Sequence, residues 1–203
     1  YIRNKVTPVN PQTSFQQNVR NLLSTFSQAW RGLTQSQRLG WTALAKTLAF
    51  TDIFGDTKFL TGNALYVKLN TNLANIGEAA IDTAPAPQSL PDVQLTDVTI
   101  TQTAGALSAM TADFNIASIP ADHQIAIYAT PVVGAGINFV KNQFRFIGAL
   151  SSITAGVGDI EALYAARFGT VMPLGAKVFV RAAVVSEVSG QQGIPTEITA
   201  FAG

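Results

Sequence analysis

His123 is the chain's one imidazole, and Asp122 precedes it. A histidine acting as acid or base needs a carboxylate to orient it. Adjacent residues on a strand point to opposite faces, so this pair is poorly placed for that work and reads as part of a loop. Cysteine is absent, which excludes disulfides, thiolate nucleophiles and thiolate metal sites. With one histidine and no cysteine, a zinc site lacks ligands. Asp52 and Asp56 stand four apart in a loop, but Phe54 and Phe59 intrude and the other ligand positions of a calcium loop are missing. The remaining carboxylates are dispersed; a hydrolase would need two of them to meet in space. Gly134-Ala135-Gly136 lacks the third glycine of a dinucleotide loop. There is no Gly-Lys-Ser/Thr phosphate loop and no Gly-x-Ser-x-Gly elbow. Arg145, Arg167 and Arg181 read as solvated charges. The expectation is a structural or binding protein with no enzymatic activity, no cofactor and no small-molecule substrate.

The stretch best marked for binding runs from Asn10 to Leu48. Thr13 with Gln16 three residues on is a helix-start signature. Phe15, Val19, Leu22, Leu23, Phe26 and Trp30 then recur at helical spacing, predicting a helix over 12–31 that Gly32 ends. Thr34 with Gln37 starts a second helix, continued by Leu39, Trp41, Leu44, Ala45 and Leu48. A connection this short predicts a helical hairpin whose two tryptophans serve as core anchors. Its polar face carries Gln16, Gln17, Arg20, Gln28, Arg31 and Arg38, which we take as the candidate assembly interface.

Tyr1 to Val9 read as a short basic arm, and residues 50–60 as a packed apolar loop. Thr61-Gly62-Asn63 opens a third helix with Leu65, Leu69, Leu73 and Ile76 as its stripe and Gly77 as terminator. The segment 82–91, with Pro85, Pro87 and Pro91, favours an extended linker. From Asp92 onward the texture is that of strands, at about 93–100, 110–116, 124–133, 144–147, 177–188 and 194–201. A helical turn over 159–168, capped by Gly169, interrupts them. Short strands with Gly and Pro between them predict an antiparallel sandwich. The expected fold class is α+β: a three-helix docking domain (1–81), a linker (82–91) and a β-sandwich (92–203).

Charged residues make up 12% of the chain, about half the usual share of roughly 25%. A surface so poor in charge suits a protein that buries much of itself in an assembly. No apolar run approaches the roughly 18 residues of a membrane span. A start at Tyr1 rather than Met fits a processed product whose missing segment could hold a targeting or anchoring signal. Residues 1–90 hold eight basic and four acidic side chains, and residues 91–203 five and eight. Before Asp52 stand Arg3, Lys5, Arg20, Arg31, Arg38 and Lys46 with no counter-charge. These could steer that half toward an acidic protein surface. They are too scattered for the dense footprint of nucleic-acid binding.

Two stretches carry a resemblance. Asn10-Pro11-Gln12-Thr13, Gln16-Gln17, Arg20, Trp30, Leu33-Thr34, Gln37 and Trp41, followed by Gly62-Asn63, Leu69-Asn70 and Asn72-Leu73, resemble a poorly characterised family of tailed-bacteriophage and prophage genomes. The similarity covers about residues 8–87. This chain departs from the family in lacking its basic, glycine-rich N-terminal arm. Lys177-Val178-Phe179-Val180-Arg181, Ser189-Gly190-Gln191-Gln192-Gly193 and Ile194-Pro195 resemble the last hairpin of a fibronectin-type-III or immunoglobulin-like domain. The helical turn at 159–168 is atypical of that fold.

The phage resemblance implies a virion location and a structural role as capsid decoration, head–tail connector or tail component. Its partners would be other virion proteins and copies of itself, with no membrane. An alternative is an adhesion or carbohydrate-binding module on the sandwich, which needs exposed rings such as Tyr128, Phe139 and Tyr164.

Overall fold

The computed structural model describes Asn10, residues 12–51 and 55–203, with the backbone alone for Phe50 and Thr51. The basic arm and the Asp52 end of the acidic loop lie outside the described residues. The architecture is α+β, with four helices and nine strands among the described residues. It divides into two compact units, Tyr1–Val67 and Lys68–Gly203.

In the first unit, threonines start the helices as their chemistry dictates. Helix α1 (Ser14–Gly32) follows Thr13, whose Oγ1 accepts the Gln16 backbone N–H at 3.3 Å. Helix α2 (Gln35–Thr47) has the full reciprocal box. The Gln37 N–H donates to Thr34 Oγ1 at 3.3 Å, and the Thr34 N–H donates to Gln37 Oε1 at 2.8 Å. Gly32 does not take the expected cap role. The cap is Leu33, in extended backbone with its side chain buried. Arg38 supplies donors to the last carbonyls of α1, so no left-handed glycine is needed there. A hairpin of β1 (Ala49–Thr51) and β2 (Thr57–Phe59) follows.

Helix α3 (Gly62–Ile76) begins at Thr61, whose Oγ1 accepts the Ala64 N–H at 3.2 Å. A Cβ on Gly62 would lie 2.7 Å from Thr42 Oγ1, so glycine is what lets α3 start against α2. Trp41 is fully buried, and its ring meets Tyr66 edge-on at 5.2 Å; Trp30 meets the same ring at 5.6 Å. The tryptophans are thus joined through a tyrosine of the third helix, a residue the apolar stripe had left out. Gly77 ends α3 as expected. Its φ is +86°, its N–H reaches Ala74 O at 3.3 Å, and the Glu78 N–H reaches Leu73 O at 2.9 Å. That is the paired geometry of a glycine-terminated helix.

The second unit holds two antiparallel sheets. One has the order β3-β4-β7, from β3 (Leu95–Thr103), β4 (Ala106–Phe114) and β7 (Val157–Asp159). The other has the order β6-β5-β8-β9, from β5 (His123–Ala129), β6 (Arg145–Leu150), β8 (Lys177–Ser186) and β9 (Thr196–Phe201). Alternation selects one face of each strand for a shared core: Val98, Ile100, Met110 and Ala112 from the first sheet, and Ile125, Ile127, Val178 and Val180 from the second. Helix α4 (Glu161–Phe168), where the sequence places a helical turn, adds the buried Tyr164 to that core. Ala104-Gly105 connects β3 to β4 with both residues at positive φ (52° and 81°), the two-residue turn whose twist matches paired strands.

Strand β8 is buried at nearly every position. Its second face is also covered: Val185 packs with Ala126 against Leu73 and Ile76 of α3, and Phe179 packs with Val133 and Val140. The turn after β8 is a junction. Ser189 Oγ donates to Gln88 Oε1 at 2.8 Å, Gln191 Nε2 donates to Ala86 O at 2.7 Å, and Asn72 Nδ2 donates to Gly190 O at 2.9 Å. The proline-rich segment, though without regular structure, is thereby fixed to the β8–β9 connection. A further tie joins the sheets: the Leu95 N–H donates to Thr196 Oγ1 at 2.8 Å, and Ile100 forms a parallel bridge with Ala202.

Candidate assembly surface

The six interface candidates lie on α1 and α2, and the structure gives most of them local work. Arg38 donates from Nε to Trp30 O at 3.3 Å and from NH2 to Arg31 O at 2.6 Å. A cation at a helix C-terminus satisfies orphan carbonyls and the negative end of the dipole together. Gln28 Nε2 donates to Ser24 Oγ at 3.0 Å, Gln17 Nε2 reaches Gln12 Oε1 at 3.5 Å, and Arg20 NH2 reaches Asn10 Oδ1 at 3.3 Å. All three bonds lie at the surface. Gln16 and Arg31 are exposed, with the Gln16 backbone held by the cap.

The opposite side of α1 departs from expectation. Its apolar residues were to be the inner face of a hairpin, yet α1 buries Phe26 alone. Val19 is 65% exposed and Leu23 54%, Phe15 is also exposed, and Leu22 and Trp30 are half-buried. Periodicity fixes which side of a helix is apolar, not what covers it. The part of α1 before Phe26 reaches about 18 Å, at roughly 1.5 Å per residue, beyond its one buried side chain. On α2, Leu39 is also exposed rather than core. It stands two residues before Trp41, and positions two apart on a helix face away from each other.

The second unit's polar residues are mostly structural. His123 opens strand β5 instead of lying in a loop, and its Nδ1 is 2.6 Å from Ala121 O. Asp122 sits before it at φ +59°. Arg181 is clamped: its guanidinium lies 4.0 Å over the Phe144 ring and pairs with Glu197 at 2.8 Å. Burial, then the charge of Arg145, pulls the Arg167 pKa below its ordinary value. Lys177 is buried, and its Nζ donates to Ile137 O at 2.8 Å and Asn138 Oδ1 at 2.6 Å.

Of the three rings a sugar site would use, Tyr164 is fully buried with its hydroxyl donating to Thr130 O at 3.2 Å. Burial pushes its pKa up to about 12. Tyr128 packs edge-on against Phe146 at 5.5 Å, and burial raises its pKa too, against the opposing effects of Gln192 and Arg181. Phe139 alone of the three is exposed, at 74%.

A cavity of about 400 Å³ is bounded by residues 149–154 and 157–159, and one of about 270 Å³ by residues 90–93 with Val184, Gly193 and Ile194. Each has a single carboxylate in its wall, Asp159 and Asp92 respectively. Among the described residues no group of three or more metal-ligating side chains converges, and no helix is long and apolar enough to cross a membrane.

No protein-family model matches the chain, and no curated protein matches it. Two crystal structures show a weak likeness: wild-type OgpA from Akkermansia muciniphila, and catalytically inactive OgpA from the same organism in complex with an O-glycopeptide (glycodrosocin) substrate. They are 12% and 11% identical to this chain over 73% of its length, and the match spans 38% of theirs. With a TM-score of 0.31 in both cases, the likeness carries no argument about this chain.

Proposed function

We propose that the chain is a structural protein of a bacteriophage particle, a capsid decoration, head–tail connector or tail component, working through protein–protein assembly and not catalysis. In this reading a three-helix docking region (1–81) meets neighbouring virion proteins or copies of the chain. The segment 82–91 leads from it to an immunoglobulin-like or fibronectin-type-III-like sandwich (92–203). The observation that carries the reading is α1, a capped helix whose apolar side is largely uncovered. Exposed apolar surface of this kind marks interaction sites. The scarcity of charge and the resemblance of residues 8–87 to phage and prophage sequences support it. The polar side, with Arg20, Gln28 and Arg31, forms the rim. An adhesive role for the second unit has less support, since Tyr164 is buried and Tyr128 is half-buried against Phe146.

The test is mass spectrometry of gradient-purified particles from a host producing the phage or prophage that encodes this chain. The expected result is a stoichiometric, multi-copy component. Particles of full infectivity that contain no copy of it would overturn the proposal.

A further inference from the structure

Helix α1 has a finer periodicity than a general apolar side. Phe15, Val19, Leu22, Phe26 and Ala29 follow each other at spacings of four, three, four and three. That is the spacing of a coiled-coil seam over two heptads, in which alternate spacings of this kind keep one stripe facing a partner helix, with Phe26 already buried within the chain. Leu23 widens the stripe on one flank. The seam is uncovered where it matters: Val19 and Leu23 are more than half exposed, and Leu22 is half-buried.

The flanks decide the partner. With Val19 and Phe26 in the first core position of each heptad, the flanking positions hold Gln16, Asn18, Leu23 and Thr25, all neutral. These are the positions whose charges select a partner in paired helices. Arg20 falls on the outer side, away from the seam. An acidic partner would call for basic flanks, which α1 lacks, so the steering toward an acidic surface suggested by the charge distribution does not extend to this face. Two identical seams, in contrast, bring no like charges together in either orientation. An isologous contact also needs a surface complementary to itself, which an apolar stripe with neutral borders supplies.

We propose that the α1 seam around Val19, Leu22 and Leu23 is occupied by the same seam of a second copy of this chain. The inference rests on the assembly reading only in naming self-contact as part of it. The seam exposes less than two heptads, so the contact is weak per copy and gains strength when many copies are held together.

Sedimentation velocity on the full chain, over about 1–100 µM, tests this. The wild-type chain is expected to self-associate reversibly. Val19→Asp with Leu23→Asp is expected to lower the association constant about tenfold or more while helical circular dichroism is kept. Asn21→Asp, the same charge on the outer side, is expected to leave association unchanged. A monomeric wild type, or equal association of the seam variant, would overturn the proposal. So would a monomeric chain whose seam variant melts earlier, which would mean that another part of the same chain covers the seam.

Because the chain has no native cysteine, a milder pair avoids any folding defect. Val19→Cys should give a dimer with a short bismaleimide and Asn21→Cys should not; equal yields from both count against the seam. Particle incorporation reads the function separately. A seam that associates in a chain absent from particles sinks the virion reading alone. An incorporated chain indifferent to Val19 and Leu23 sinks this inference alone.

Discussion

Arg38, in the second turn of α2, places its guanidinium 2.6 Å from the carbonyl of Arg31 near the end of α1. A side chain from the following helix thus does what a capping glycine does elsewhere. Arg38→Ala is expected to cost about 1 kcal/mol at this half-buried site, measured by urea denaturation. Arg38→Lys should recover less than half of it, because an ammonium cannot span two carbonyls as a planar fork does. Full recovery by lysine would mean that charge alone caps α1.

Gly190 allows no substitution. Its φ is +67°, and a Cβ there would lie 2.3 Å from the Leu69 carbonyl oxygen. Gly190→Ala is expected to destabilise the second unit by more than about 2 kcal/mol. It should also weaken the neighbouring bonds from Asn72, Ser189 and Gln191. Thermal melting reads the first effect. Amide exchange at residues 86–88 reads the second.

Tyr164 predicts an alkaline loss of stability. Its folded pKa of about 12 exceeds the ordinary 10.0. Between those values the unfolded chain gives up a proton that the folded chain keeps. The contribution is therefore intact below pH 10 and lost as pH rises through 12, by about 2–3 kcal/mol. Tyr128 adds in the same direction. Tyr164→Phe should flatten most of this decline and cost about 1 kcal/mol at neutral pH through the lost bond to Thr130. Denaturant titrations at pH 8, 10 and 11 compare the two chains.

Lys177 fastens the 134–139 loop from below. Its buried ammonium donates to Ile137 O and Asn138 Oδ1 and lies 4.9 Å over the Phe179 ring. Lys177→Met keeps the length and removes the donors that tie the Ile137 carbonyl and the Asn138 side chain to β8. The expected cost is about 1–3 kcal/mol, with faster hydrogen exchange and protease cleavage confined to residues 134–139. A change spread over all of β8 would indicate a general packing defect instead.

Most local signals in the sequence survived into the structure, Gly32 excepted, and signals that depend on distant residues did not. Thr34 with Gln37, and Gly77 after Ile76, act within one turn of chain, so residue type settles them. Alternation through Val98 and Ile100, or Val178 and Val180, marks strands for the same reason. Strand β7, with its three residues, is too short to show a period. Arg38 as a cap is invisible because it serves a helix it does not belong to. The exposed stretch of α1 is the same lesson at larger scale: Val19 and Leu23 announce an apolar face, and their spacing is silent on the neighbour. Tyr66 was missed because a tyrosine in an Asn-rich helix looks polar until two tryptophans are found on its ring.

The bond between Leu95 and Thr196 joins residues 101 apart in the chain, and the Ile100–Ala202 bridge is equally remote. The two sheets of the second unit therefore close onto each other only once β9 has been synthesised. On a ribosome, α1 and α2 can form as soon as they emerge, since their caps bridge a few residues. The sheet region must wait for nearly all of its strands and pass its slowest step late. During that interval α1 is exposed with its apolar stripe in place, and chains on one polysome stand close together. The order of synthesis thus presents the apolar side of α1 well before the sheets of the second unit can close.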